Sequence, residues 1–415
     1  MSKLILHCDL NSFFASASLL AHPELKDTPV AVAGDPERRH GIILAKNIPA
    51  KIAGVKTAEA IWQSMQKCPD LVLLKPDYQL YIKYSEIVKD IYYRFTGNIE
   101  PFGIDEAWLD ISQHGKDMAY AKRIAYEIKE TVKEETGLTI SIGVSFSKVF
   151  AKLGSDYQKP DAVTVISKEN YKEIAWPLPA SDLIYVGRAT RQKLNRIGIT
   201  TIGELANADS TILKQLMGKH GLMVKDFANG NDGSLVKAVD HQFGFKGIGN
   251  SMTTTRDLLN DRDVYVSFLL LSEMVAQRMR AKGVTAGNIG IYLRDKSLAH
   301  ITRQRKLKDS TFISDEITAI AMELYHDNWN IKNHPIRSLG IRSTDFTSIN
   351  AARQITFFDS LHRMHREALE FAKDDIIKRY GKNAVVRAVF LEKTAPKEQH
   401  AEELHDVHPL SFFRK

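Results

Sequence analysis

Three features of the sequence predict an α+β protein built from several domains. The chain has 415 residues, which at roughly 100–200 residues per domain leaves room for two to four. Once residues 15–75 are set aside, the elements up to residue 167 run strand, helix, two strands, helix, strand. That is the split βαβ, ferredoxin-like order. A Pro-rich break, Trp176-Pro177-Leu178-Pro179, then separates this part from short helices punctuated by glycine and from a second alternation of strand-like and helix-like pieces.

Each element has its own signal. Residues 3–10 are an apolar run ending in a carboxylate, which reads as a buried strand. Phe13 to Leu20 read as helix. Residues 21–75 form a small mixed segment with the turn signal Gly34-Asp35-Pro36. A helix is expected from about Tyr78 to Thr96 and a hairpin over Ile99 to Ser112. A further helix runs from about Met118 to Thr136, stopped by Gly137. Strands at 138–146 and 162–167 flank a short helix near Lys148–Asp156. Residues 182–229 are short helices broken by Gly187, Gly198, Gly203, Gly218 and Gly221. Residues 231–247 read as a linker, 248–345 as a second α+β unit and 346–415 as a tail. The tail holds one long helix from about Leu361 to Tyr380, with Ser360 as its N-cap and Gly381 after it.

Composition narrows the classes. Hydrophobic residues at 44% and charged residues at 26% exclude disordered, collagen-like and coiled-coil chains. No run approaches the ~18 apolar residues of a membrane span. The stretch Leu4–Leu6 meets Asp9 too soon for a signal peptide, so the chain is expected to be cytoplasmic. Two cysteines, Cys8 and Cys68, fit that compartment and rule out a disulfide framework or Cys-rich zinc site. The net charge is +7, and its distribution is uneven: seven basic against two acidic residues over Tyr185–Lys225, fifteen against eleven over His241–Asp345. A basic C-terminal half points to a polyanion, nucleic acid first.

The residues suited to chemistry are carboxylates at strand ends. Asp9 closes the first strand; Asp105 and Glu106 interrupt the apolar hairpin Phe102 to Asp110. Adjacent strand residues point to opposite faces, so Asp105 and Glu106 share a site only if the chain turns there, which Gly103 helps to permit. Asp9 alone reads as an acidic strand end at the surface. The trio on a ferredoxin-like sheet reads differently. Clustered carboxylates repel unless hard cations sit among them, so two Mg²⁺ ions, or Mn²⁺, are expected; about 4 Å apart, they would bracket an in-line phosphoryl displacement. Phe13 and Phe14 follow on the turn leaving this site, either as core residues or as contacts to a sugar or base. Lys46, Lys51, Lys56, Lys148, Lys152 and Lys159 could neutralise phosphate charge, although each alone reads as solvated. The GxxxxGK[ST] pattern of a P-loop is missing. Gly187 and Arg188 open a glycine-punctuated helix–turn–helix whose backbone N–H groups could meet a DNA phosphate.

Together these stretches resemble the Y-family DNA polymerases, the translesion enzymes of the DinB and UmuC type. The resemblance rests on Leu6-His7-Cys8-Asp9-Leu10-Asn11-Ser12-Phe13-Phe14, on Asn47-Ile48-Pro49-Ala50-Lys51 with Gly54-Val55-Lys56-Thr57, and on Ile104-Asp105-Glu106-Ala107-Trp108-Leu109-Asp110-Ile111. It continues with Ser141-Ile142-Gly143-Val144-Ser145, Lys148 to Asp156, and Lys159-Pro160. It runs in family order from about residue 3 to 345. It implies a ferredoxin-like palm at 1–14 and 76–166, small fingers at 15–75 and a helical, helix-hairpin-helix-like thumb at 167–235. A linker at 236–247 and an α+β little finger at 248–345 follow, with the tail at 346–415. It also implies that Asp9, Asp105, Glu106 and the Leu10 carbonyl bind metal, that Phe14 excludes ribonucleotides with Phe13 packed beside it, and that Lys159 contacts a triphosphate.

Three departures stand out. Ile48 and Lys51 occupy positions where the family often has Tyr and Arg. Lys51 keeps a point charge without bidentate geometry, and Ile48 donates nothing. Tyr185 replaces one of two thumb glycines.

The implied activity is low-fidelity, template-directed DNA synthesis without proofreading. Expected partners are primer–template DNA, dNTP and, through Gln354, Ile355, Phe357 and Phe358, a β sliding clamp; the chain is expected to act as a monomer. Candidate DNA contacts are Gly187, Arg188, Arg303, Arg305, Arg337 and Arg342. Two other readings stand beside this one: a nucleotide cyclase on a palm fold, and a catalytically silent DNA-binding or repair accessory protein.

Overall fold

The computed structural model describes residues 3–35, 41–113, 117–237, 246–351, 360–381 and 383–391. They fall into two compact units, one covering 3–34 with 42–237, the other 246–391. Among the described residues no helix is long and apolar enough to cross a membrane.

The first unit opens with β1 (Ile5–Leu10) and α1 (Phe13–Leu20). A three-stranded sheet follows: β2 (Val30–Ala33), β3 (Ile43–Lys46) and, after α2 (Ile48–Ile52) and α3 (Ile61–Lys67), β4 (Val72–Leu74). Asn47 ties this small sheet to its helix. Its side-chain carbonyl accepts from the amides of Val30 and Ala50, capping α2, and its side-chain NH₂ donates to the Thr28 carbonyl.

The main sheet is completed by α4 (Tyr78–Tyr93), β5 (Ile99–Pro101), β6 (Glu106–Asp110), α5 (Met118–Thr136), β7 (Ile140–Ser145), α6 (Lys148–Tyr157) and β8 (Val163–Ile166). Its order is β5-β6-β1-β7-β8. Before β8 joins the edge, this is second, third, first, fourth, with β1 antiparallel to both β6 and β7, as the split βαβ order requires. Helix α5 keeps the expected limits because both ends are specified. Asp117 accepts from the Tyr120 amide at its start, and Gly137 adopts φ 73° at its end.

One sheet face is apolar. Leu4, Leu6, Cys8 and Leu10 pack with Ala107 and Leu109 against Val88 and Ile91 of α4 and Ile128 and Val132 of α5. The opposite face carries Ile5, His7 and Asp9, and α6 lies on it. Gly143 makes that approach achievable: a Cβ there would stand 1.9 Å from the Ala151 carbonyl oxygen and 2.5 Å from the Ser155 amide nitrogen.

Beyond β8, α7 (Tyr171–Ala175), α8 (Arg188–Arg196), α9 (Ile202–Asn207), α10 (Ser210–Met217) and α11 (Lys219–Ala228) surround Leu194, Leu205, Leu213 and Val224. Tyr185, in the turn before α8, holds φ 73°, the conformation glycine adopts freely. The backbone shape therefore survives the glycine's replacement. The chain then returns to the main sheet. Val236 packs with Ile5 and Trp108, and the Lys237 amide donates to Glu100 Oε2 at 2.9 Å. The expected linker thus begins as a pinned segment.

The second unit repeats the succession of elements: β9 (Ile248–Leu258), α12 (Asp261–Ala281), β10 (Val284–Asp295), β11 (His300–Thr311), α13 (Ser314–Asn328) and β12 (Ile336–Ser348). Its order, β11-β10-β12-β9, differs from that of the main sheet. Ile289, Ile291, Leu339 and Ile341 pack with Phe268, Leu271 and Ile317 on the helix-covered face. Helix α14 (Ser360–Tyr380) belongs to this unit and is no detached tail. Buried Arg280 reaches Asp374 at 2.6 Å and Glu370 at 3.1 Å, and Lys373 reaches Glu273 at 2.9 Å.

Because the Gly143 position has backbone on all sides, Gly143→Ala should cost the first unit at least about 3 kcal/mol, the upper end of overpacking penalties. Urea unfolding of the variant against the parent measures it.

Candidate active site

An open cleft of about 440 Å³ lies at the ends of β1 and β6. It is lined by Asp9, Phe14, Lys46, Asp105, Lys152 and Lys159, among others. Asp9 and Glu106 are directly opposed in the β1–β6 register. Asp105 precedes β6 in a bend and gives its carbonyl to the Leu10 amide at 3.1 Å. The turn expected at Gly103 therefore exists, and all three carboxylates line one cavity.

Helix α6 supplies the opposing charge. Ser147 caps it, accepting from the Phe150 amide at 3.2 Å. Lys152 Nζ lies 3.2 Å from Asp9 Oδ2, 2.8 Å from Glu106 Oε2 and 3.3 Å from Asp156 Oδ2. Lys159 Nζ lies 2.8 Å from both Asp9 and Asp156. The loop carrying Lys159 is fixed by Asn11, whose Oδ1 accepts from the Asp161 amide at 2.8 Å, and by Lys129 and Lys133 on Asp161 at 3.0 and 2.9 Å.

The carboxylates differ in environment. Burial first, then the charges of Glu106 and Asp9, push Asp105 up to about 7, and Lys152 offsets only part of this. Burial alone would raise Glu106 too, but contact with His7 and the charge of Lys152 bring it down to about 2. Burial would lower the Lys152 ammonium; Asp9, Glu106 and Asp156 raise it instead. Negative charge in the cleft thus exceeds what the two lysines neutralise. An all-oxygen set with such a deficit suits a hard divalent cation. Carboxylate oxygens of Asp9 and Glu106 lie within 4.8 Å of each other, and a ring nitrogen of His7 lies within the same distance of both.

Phe14 forms an aromatic wall. Ser12, at φ 49°, turns the chain sharply out of β1. Phe13 is buried, while Phe14 stacks on Tyr81 with centroids 4.2 Å apart at 8° and meets Tyr78 edge-on. Tyr81 is held by a hydrogen bond between its hydroxyl and Ser18, 2.9 Å.

Other expected residues are placed less centrally. Lys51 is exposed on α2 and does not line the cleft; Lys46, the last residue of β3, does, with its Nζ 3.0 Å from Thr57 Oγ1. Gly187 sits at the start of α8, followed by exposed Arg188. In the second unit, Arg303 and Arg305 oppose buried Ile291 and Ile289 and so lie on the helix side of the sheet. Arg303 reaches Asn328 at 3.0 Å, and Arg305 pairs with Glu323 and, at 2.9 Å, Asp327, all on α13. Arg342 shares the open face with Gly290 and Gln304, and Lys306 is exposed on that face opposite Asn288. Arg337 lies at the β12–β9 bulge. Gln354, Ile355, Phe357 and Phe358 lie outside the described residues.

Residues 8–156 match the impB/mucB/samB family, and residues 245–357 match that family's C-terminal domain. DNA polymerase IV of Acetivibrio thermocellus is 44% identical over 393 residues, covering 94% of this chain and 98% of that protein. The chain belongs to the Y family of DNA polymerases. DNA polymerase IV 1 of Bacillus subtilis is 34% identical, covering 95% of each chain. The fold of this Y-family member also matches a solved Y-family DNA polymerase chimera, Dbh-Dpo4(243-245)-Dbh. The TM-score is 0.73 at 20% identity, covering 83% of this chain and 99% of the chimera.

The carboxylates are marked by the sequence pattern; His7, Tyr81 and Asp156 are not. A histidine in an apolar run and a tyrosine on a helix's inner face read as core; only tertiary contact reveals their neighbours.

The raised Asp105 carboxyl makes a pH prediction. Its folded value, about 7, exceeds its ordinary 3.8, so the metal-free protein loses stability as pH rises through that window. Asp105→Asn should melt a few degrees above the parent in EDTA at about pH 8, with the gap closing toward about pH 5. Thermal denaturation at the two pH values checks this.

Proposed function

We propose that this protein is a translesion DNA polymerase that extends a primer by template-directed addition of dNTP, without proofreading. The observation that carries the reading is the convergence of Asp9, Asp105 and Glu106 with Lys152 and Lys159 in one open cleft bounded by Phe14. Membership of the Y family supplies the reaction class, and with it dependence on a divalent metal. The agreement with relatives named DNA polymerase IV extends through the α8–α11 region and the second unit, which a nucleotide cyclase does not need. The full carboxylate set argues against a silent accessory protein.

Asp9, Asp105, Glu106 and the Leu10 carbonyl are proposed to hold two Mg²⁺ ions, or Mn²⁺. Bound there, such ions supply activation of the attacking hydroxyl and charge neutralisation on the phosphates. Lys159 and Lys152 are held by carboxylates before substrate enters. A triphosphate offers both ammoniums stronger acceptors, so each exchanges a carboxylate for phosphate oxygen and stabilises charge developing during transfer. Lys46 replaces the more distant Lys51 as the cation of the fingers-side wall. Phe14, backed by Tyr81, cannot retreat from a 2′-hydroxyl and so selects deoxyribose.

The main sheet corresponds to the palm at 1–14 and 76–166, the small sheet to the fingers at 15–75, and the α7–α11 region to the thumb at 167–235. The linker at 236–247 follows, then the little finger at 248–345. Helix α14 extends that last unit into the segment set apart as the tail. Gly187 and Arg188 at the start of α8, and the basic open face of the β9–β12 sheet, are proposed to hold duplex phosphates without reading bases. Gln354, Ile355, Phe357 and Phe358 are proposed to dock on a sliding clamp, which would raise local concentration at the primer end. The chain is proposed to work as a cytoplasmic monomer.

Primer extension on intact and abasic templates with Mg²⁺ tests the activity. Asp105→Ala and Glu106→Ala should each lower incorporation at least about a hundredfold while sparing DNA affinity. Near-parental extension by either would remove the assignment. Replacing Lys306 and Arg342 by Ala should lower the slope of log K against log salt by roughly one unit for each phosphate no longer neutralised. The Arg303 and Arg305 pair, already engaged with α13, should contribute less. Binding titrations across a salt series separate the two pairs.

A further inference from the structure

His7 takes no part in the chemistry described so far, yet it is fully buried directly behind the cleft. It lies two residues before Asp9 on the same face of β1. Its Nε2 faces Glu106 Oε2 at 3.2 Å, and its Nδ1 lies 2.8 Å from Ser155 Oγ. The ring is confined: Trp108 and Phe102 meet it edge-on, with centroids 5.1 and 6.3 Å away, and Gly143 is its register partner on β7. Gly143 also lets α6 descend, and so brings Ser155 to the ring.

We propose that His7 is a positioning residue that holds the Glu106 carboxylate in its metal-binding orientation through an Nε2–H···Oε2 hydrogen bond, with Ser155 fixing the ring. The inference rests on the metal-site reading above. Glu106 as a carboxylate only accepts, so the ring serves it in the tautomer that carries the proton on Nε2. Ser155 then serves the other ring nitrogen by turning its hydroxyl proton to Nδ1 from the Lys152 carbonyl, which lies 2.8 Å from the same Oγ. Nε2 and Oε2 touch without hydrogen-bond alignment, and Lys152 Nζ lies 2.8 Å from the same oxygen. The two contacts differ in kind. Lys152 sits on a flexible stem and leaves for phosphate when nucleotide enters. His7 is locked between strands and aromatic rings and stays. Once Lys152 has gone, His7 is the group that keeps Glu106 from turning, and such outer partners of metal-binding side chains are worth about 10–100-fold in affinity or activity. A buried histidine that merely packs on Trp108 would do none of this.

The test uses the full chain. Mn²⁺ binding is followed by electron paramagnetic resonance without DNA, alongside kcat and KM for dNTP and the thermal midpoint. His7→Phe keeps a ring and loses the donor; His7→Gln keeps an N–H at a similar reach. His7→Phe should weaken Mn²⁺ binding about tenfold or more and lower kcat with little change in KM, while His7→Gln stays within about threefold of the parent. Parental Mn²⁺ binding by His7→Phe overturns the proposal, as does equal loss in both variants, the mark of packing alone. Should His7→Phe fail to fold, Ser155→Ala decides: weakened Mn²⁺ binding supports the proposal, and parental binding overturns it. A parent that binds no Mn²⁺ removes the metal site itself and this inference with it.

Discussion

Mutual repulsion among Asp9, Asp105 and Glu106 is the constraint around which the first unit is arranged. Three carboxylates at adjoining strand ends, with Asp9 buried, cannot all be ionised without compensation. The fold answers in part with Lys152 and Lys159, which surround Asp9, and with His7 behind Glu106. It does not answer in full, and Asp105 carries the remainder as a carboxyl pushed up to about 7. A site left short of positive charge recruits it from solution. That shortage is what favours cations in the cleft.

The compensation depends on a packing detail. Lys152 and Ser155 reach the sheet only because α6 rests on backbone, and it rests on backbone only because residue 143 has no side chain. Lys159 arrives differently, through a loop tied to Asn11 and to two lysines of α5. The cations thus come from separate supports, while the carboxylates share one pair of strands. Displacing one lysine need not disturb the other.

Much of this was legible in the chain because local signals were unambiguous. Asp117 and Gly137 bracket α5, and carboxylates closing apolar strands marked the site without any tertiary knowledge. What could not be read was phase. Lys46 and Lys51 are both plausible phosphate contacts until the β3–α2 turn decides which one faces the cleft. Arg303 and Arg305 share a face by the two-residue period of a strand. Nothing in that period says which face the helices cover, and the register with Ile289 and Ile291 puts them under α13. His7 reads as core because it sits in an apolar run, and only the fold brings Glu106 and Ser155 to its two ring nitrogens.

Helix α14 bears on how far the protein can be divided. It supplies Asp374 and Glu370 to an arginine that is almost wholly enclosed, and Glu370 also accepts from the Ser314 amide at the start of α13. Cutting the chain after β12, the obvious place to end a trimmed polymerase, would strip the Arg280 guanidinium of Asp374 and Glu370 together. The boundary that matters for modularity is therefore electrostatic, and it falls beyond the last strand.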